Sequence, residues 1–200
     1  MLQREQAMHP EQGKSLLTIG RVAIARALNQ PCQLNIDETV PWLQKMGACF
    51  VTLMQNNKLR GCVGSLQAHR SLLADVQNNA ISAALHDSRF SPLESNELDY
   101  TEIEISLVYP SQKMVAQDEA NVLAQLRPGV DGIIFEYGYH RSTFLPQVWE
   151  MFPQPQQFLA KLKQKAGLPV DFWSEAITLS RYTITKWRES DMRWEENSDG

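Results

Sequence analysis

Apolar positions recur every three to four residues along 15–28, where Leu16, Ile19, Ala23 and Ala27 line one side and Pro31 follows, so the spacing predicts a helix. The clearest helical stripe lies at 71–86. Leu72, Leu73, Val76, Ala80, Ala83 and Ala84 share a face there, and Ser71 is placed to cap the first turn. Between these helices the period changes to two. Residues 48–54 are rich in strand formers, Asn56-Asn57 tolerate positive φ, and 59–65 return, which predicts a hairpin. A tight loop sets Val51 opposite Cys62 and Cys49 opposite Gly64. On that register the two thiols share a sheet face roughly 7–8 Å apart, too far for an unstrained disulfide. Arg60 falls on the same face as Cys62.

Further along, 101–109 alternates, with Ile103, Ile105, Leu107 and Tyr109 on one side and Glu102, Glu104 and Ser106 on the other. A second hairpin starts at Gly129-Val130-Asp131-Gly132, runs out over 133–137, turns at Gly138 and returns over 141–145. A short helix over 146–151 and a longer one over 156–166 follow. The longer helix buries Phe158, Leu159 and Leu162 and stops at Gly167 and Pro169. A last strand covers 177–187. Hairpins outnumber βαβ units, so the expected class is α+β with antiparallel sheet.

Composition narrows the setting. A net charge of −4 gives no global pull toward nucleic acid or an anionic membrane. Lys161, Lys163 and Lys165 read as a solvated helix face. No apolar run approaches the ~20 residues of a membrane span, and 1–13 lacks the apolar core of a secretion signal. The three cysteines, Cys32, Cys49 and Cys62, form neither a disulfide framework nor a CxxC metal motif. A cytoplasmic protein with free thiols is expected, with polar tails over 1–14 and 188–200. No HExxH, P-loop or dinucleotide motif occurs, so neither metal nor cofactor is expected.

The chemistry concentrates in Leu59-Arg60-Gly61-Cys62-Val63-Gly64. Glycines flanking a thiol let a ligand or a backbone approach closely, and a nearby guanidinium favours thiolate. One reading makes Cys62 a nucleophile, with Arg60 and Arg89 lowering its pKa or binding an anion. Backbone N–H groups near Gly61 and Gly64 would then stabilise negative charge, and Glu104 would be the base. His69, His86 and His140 read better as surface or capping residues. A second reading is a binding module for a small anion or nucleotide, anchored by Arg60, Arg89 and Arg141 with Cys62 as a small soft contact. A third is an adaptor presenting these motifs to partner proteins. Against all three stands tight packing around an inert thiol, with Asp87 and Ser88 capping backbone and Phe90 filling the core.

The cysteine motif, followed by Asp87-Ser88-Arg89-Phe90-x-Pro92, resembles the AMMECR family, whose bacterial and archaeal members are called AmmeMemoRadiSam system protein A. Glu102-Ile103-Glu104-Ile105-Ser106, Gly129-Val130-Asp131-Gly132-Ile133 and Thr143-Phe144-Leu145-Pro146-Gln147-Val148 also resemble it, in the same order, over about 15–187. Val63 stands where the family commonly has isoleucine. The resemblance implies a single α+β domain of two unequal, interleaved lobes over 15–187. The larger would be a sheet flanked by helices and the smaller mainly strand, with the cysteine motif between them. It also implies Memo-type and radical SAM partners, and it supplies no reaction.

Overall fold

The computed structural model describes residues 10–34 and 36–192. In chain order come α1 (Pro10–Ala27), α2 (Pro41–Gln44), β1 (Met46–Gln55), β2 (Lys58–Gly64), β3 (Arg70–Ser71) and α3 (Leu72–Leu85). A 3-10 turn (Ser95–Tyr100), β4 (Glu102–Val108), β5 (Gln112–Lys113), α4 (Glu119–Gln125), β6 (Gly132–Tyr137) and β7 (His140–Phe144) follow. A second 3-10 turn (Pro146–Glu150), α5 (Pro155–Lys165), β8 (Thr178–Tyr182), β9 (Ile184–Arg188) and α6 (Glu189–Met192) complete the order. β1 pairs antiparallel with β2, β3 and β4, β8 with β5 and β6, and β6 with β7, and the fold is α+β.

The chain divides into two compact units, one holding residues up to Val108 and those from Thr185 on, the other Tyr109–Ile184. In the first, the sheet runs β2-β1-β4-β9, with β3 also on β1. Period-two alternation turns Cys49, Val51 and Leu53 of β1, and Ile103, Ile105 and Leu107 of β4, to one face, where α1 and α3 pack. Leu16, Ile19 and Ile24 of α1 and Val76 and Ala80 of α3 close that core, each buried Leu or Ile contributing about 1.5–3 kcal/mol. Ser71 caps α3 as expected, its Oγ accepting from the Ala74 N–H.

In the second unit the order is β5-β8-β6-β7. Phe135, Leu179 and Ile133 meet Phe158, Leu159 and Leu162 of α5, and Trp149 stacks on Phe158 with ring centroids 3.7 Å apart. Fully buried Lys163, expected on a solvated face, instead donates to Glu119 and to the Phe172 carbonyl. Among the described residues no helix is long and apolar enough to cross a membrane.

Three further expectations change. The strand expected over 177–187 is two strands in two sheets, because its halves bury different residues. Tyr182 lies under Gly132 of β6, while Trp187 lies against Gly13 of α1. The helix expected from Ser15 begins at Pro10, so 10–14 are its first turns rather than tail, and Arg188 ends β9. The remaining tail residues, 1–9 and 193–200, lie outside the described residues.

The third change concerns the first hairpin. Asn56 and Asn57 both take positive φ, 49° and 59°, and set Gln55 opposite Lys58 and Met54 opposite Leu59, the register expected from a two-residue loop. A bulge then intervenes. Leu53 pairs with Gly61, leaving Arg60 the extra residue, so Cys62 faces Thr52 and Gly64 faces Phe50. The slip reverses a side-chain assignment: Cys49 faces the helices, and Cys62 lies on the opposite face.

Candidate functional site

The bulge decides what surrounds Cys62. It turns Gly61 toward α3, where a Cβ would lie 2.1 Å from the Ala83 carbonyl oxygen, so only glycine fits that approach. It also brings Cys62 onto the sheet face that carries Thr52, Glu104, Lys186 and Arg188. Thr52 pairs with Cys62 on one side and Glu104 on the other, giving a polar row across three strands. Thr52 Oγ1 donates to Cys62 Sγ at 3.4 Å. Glu104, 5% exposed, accepts from Arg188 Nε through Oε2, and Lys186 Nζ lies 3.5 Å from the same oxygen. Glu104 is therefore committed to two cations. Its hydrogen bond raises the pKa of Arg188 further.

At the outer edge of β2, the Cys62 N–H donates to Asp87 Oδ2 at 2.9 Å, and Arg89 Nη2 donates to the Cys62 carbonyl at 3.1 Å. Arg89 also binds Asp87 at two points, Nε to Oδ1 at 2.9 Å and Nη2 to Oδ2 at 2.6 Å. These bonds from Arg89 hold the Asp87 carboxyl well below the usual carboxylate range, against its burial. Arg89 also lies over the half-buried Phe90 ring.

Arg60 is elsewhere. Its Nε and Nη2 bind Glu97 at 3.0 and 2.9 Å and Nη1 donates to the Ser91 carbonyl, so it serves the bulge and not the thiol. The Cys62 thiol is pushed up by burial first. Thr52 and Arg89 pull it down, and Asp87 and Glu104 push it up again. Of the two cations expected to act on the thiol, Arg89 does and Arg60 does not, and burial outweighs the pull of Arg89. Gly64 takes the Phe50 ring over its Cα. Arg141 belongs to the second unit, in an ion pair with Glu136 at 3.2 Å.

The arrangement joins Cys62, Gly61, Gly64, Asp87, Arg89 and Glu104 in one unit. It adds Thr52, Lys186 and Arg188, which the sequence reading did not select. Thr52 was detectable as the polar residue of an apolar strand. Lys186 and Arg188 flank Trp187 in strand alternation, a signal hidden by ending the strand at 187. Among the described residues no group of three or more His, Cys, Asp or Glu is placed to hold a metal ion.

Known proteins resemble the chain over most of its length. A protein of Methanothermobacter thermautotrophicus is 36% identical over 171 residues, covering 84% of this chain and 88% of its own. A protein of Methanocaldococcus jannaschii is 34% identical over 155 residues, covering 74% of this chain and 75% of its own. The crystal structure of an uncharacterised protein from Pyrococcus horikoshii superposes with a TM-score of 0.80 at 30% identity, over 90% of this chain and 92% of that one. The AMMECR1 family model matches residues 17–187, from α1 through β9, and the chain belongs to the AMMECR1 family.

Proposed function

We propose that the chain is a non-catalytic binding protein, with the polar face of the first sheet, around Cys62 and Arg188, as its recognition surface for a small anionic ligand. Arg188 carries the reading. Its side chain is 47% exposed, and among the described residues only Nε is bonded to protein, which leaves the two Nη groups for a carboxylate or phosphate. Lys186 beside it adds a second positive charge, and Thr52 and the neutral Cys62 thiol supply the floor. Cys62 is here a small, soft contact.

A thiol-centred enzyme is the second reading, favoured by the Thr52 hydrogen bond to Cys62 Sγ, which stabilises a thiolate. Cys62 would then be the nucleophile, with Arg89 its cation and Glu104 the base. Memo-type and radical SAM partners rest on the resemblance and are tested by co-purification of the tagged chain with each.

Inorganic phosphate and nucleotides, screened by thermal shift, separate the two main readings. The expected result is a rise in Tm of a few degrees, since a ligand at a hundred times its Kd adds about 2.7 kcal/mol. Arg188→Ala should abolish it, and bound ligand should slow alkylation of Cys62. No shift with any anion, together with a Cys62 that alkylates faster than Cys32 at neutral pH, would replace binding with thiol catalysis.

A further inference from the structure

Strand β2 ends its sheet, with β1 on one side only. The N–H and C=O of Cys62 point away from β1, out of the sheet, and both are met by side chains. Asp87 accepts from the N–H, and Arg89 donates to the carbonyl. One acceptor and one donor, locked side by side by a two-point ion pair, offer Cys62 what a residue of a neighbouring antiparallel strand would offer. Higher up the edge, bulged Arg60 reaches the carbonyl of Ser91 and the carboxylate of Glu97. The segment from Asp87 to Glu97 thus follows β2 and meets it through side chains.

An open strand edge is a template for another chain. We propose that the Asp87–Arg89 pair is a surrogate strand that closes the first sheet at Cys62 and keeps a second copy of this chain from pairing its own β2 there. A second copy is the occupant that fits. Antiparallel pairing of β2 with itself about Cys62 is two-fold symmetric, so each Cys62 N–H would meet the other copy's Cys62 carbonyl. Arg60 would then lie opposite Gly64, and no like charges would face each other. The two Cys62 Cα atoms would sit about 5.5 Å apart, within disulfide reach.

The test is the double variant Asp87→Ala with Arg89→Ala, compared with the wild type by light scattering over a range of concentrations. The expected result is self-association tighter than the wild type's by about tenfold or more. Diamide, which takes two electrons and two protons from a pair of thiols as it becomes the hydrazine, should join Cys62 to Cys62 in the variant and not in the wild type. Adding Cys62→Ser should remove the link and keep the doubled mass. A mass equal to the wild type's at every concentration, with faster exchange of the Cys62 amide, would overturn the proposal and leave the pair a local brace. Should the double variant lose its near-UV circular dichroism, Arg89→Ala alone is read by the same criteria. That change removes only a half-exposed side chain.

Discussion

Cys49 and Cys62 lie on adjacent strands, and side chains hold the backbone of each, but the two clamps are built of different chemistry. At Cys49 both parts come from one helix. Asp75 accepts from the N–H at 2.9 Å, and Asn79, one turn later, donates to the carbonyl at 3.0 Å. At Cys62 both parts come from the loop after that helix, and the donor is a guanidinium half in water. The core clamp uses a neutral donor and surrounds its one carboxylate with Ser65, Arg70 and Asn79 as well as Cys49. Each acid is also in an ion pair, Asp75 with Arg70 and Asp87 with Arg89, but only at the edge does the arginine itself hold the strand carbonyl, where water offsets part of its desolvation. The thiols differ in step. Burial drives both up, Cys49 far more than Cys62, which keeps the opposing pull of Thr52 and Arg89. The same device serves cohesion in the core and protection at the rim.

Removing the acid from each clamp should expose that difference most sharply. Asp75→Ala strands the Cys49 N–H in a dry core and takes one partner each from the Ser65 hydroxyl, the Arg70 guanidinium and the Asn79 amide, and should cost about 3–5 kcal/mol in urea unfolding. Asp87→Ala leaves groups that water can reach at the sheet edge, and about 1–2 kcal/mol is expected. Equal costs would mean that the edge clamp is as dry as the core one.

Much of this was legible in the sequence, up to a definite point. Apolar stripes found α3 and the core face of β4, because period alone marks a half-buried element. The Asn56-Asn57 turn found the hairpin and its register for two pairs. It failed at Arg60, since the bulge answers a tertiary demand, the carbonyl of Ala83 pressing on position 61, which no local pattern records. From that one residue came the misplaced Arg60 and the single face expected for Cys49 and Cys62 together. The motif residues Cys62, Asp87 and Arg89 were selected, yet their bonding was not legible, because nothing in the spacing says that a loop side chain will stand in for a strand.

Acid should loosen the rim through Glu97. Arg60 beside Glu97 holds that carboxyl at about 2 against an ordinary 4.5. A carboxyl with a depressed folded pKa stabilises fully above its unfolded value, and the contribution is lost as pH falls through the folded one. Up to about 3 kcal/mol should therefore disappear between roughly pH 5 and 2. Glu97→Gln should lower stability at pH 7 and flatten the acid limb over that window. Parallel curves for the two proteins would place the acid sensitivity in other carboxylates.

The two glycines of the motif give the finest contrast. Gly61→Ala drives a Cβ onto a backbone oxygen at 2.1 Å, which neither strand nor helix can yield without moving, so a loss of about 1–3 kcal/mol is expected. At Gly64 a Cβ would meet the Phe50 ring at 2.2 Å and the Phe50 Cα at 2.7 Å. The ring can rotate aside and leaves β1 only the longer backbone contact to relieve, so Gly64→Ala should cost less, about 1–2 kcal/mol. The order of the two, read from thermal melts, is the sensitive quantity. If Gly64→Ala proves the costlier, the Phe50 ring is fixed where it lies, and the polar face beside Cys62 is as rigidly packed as the face beneath α3.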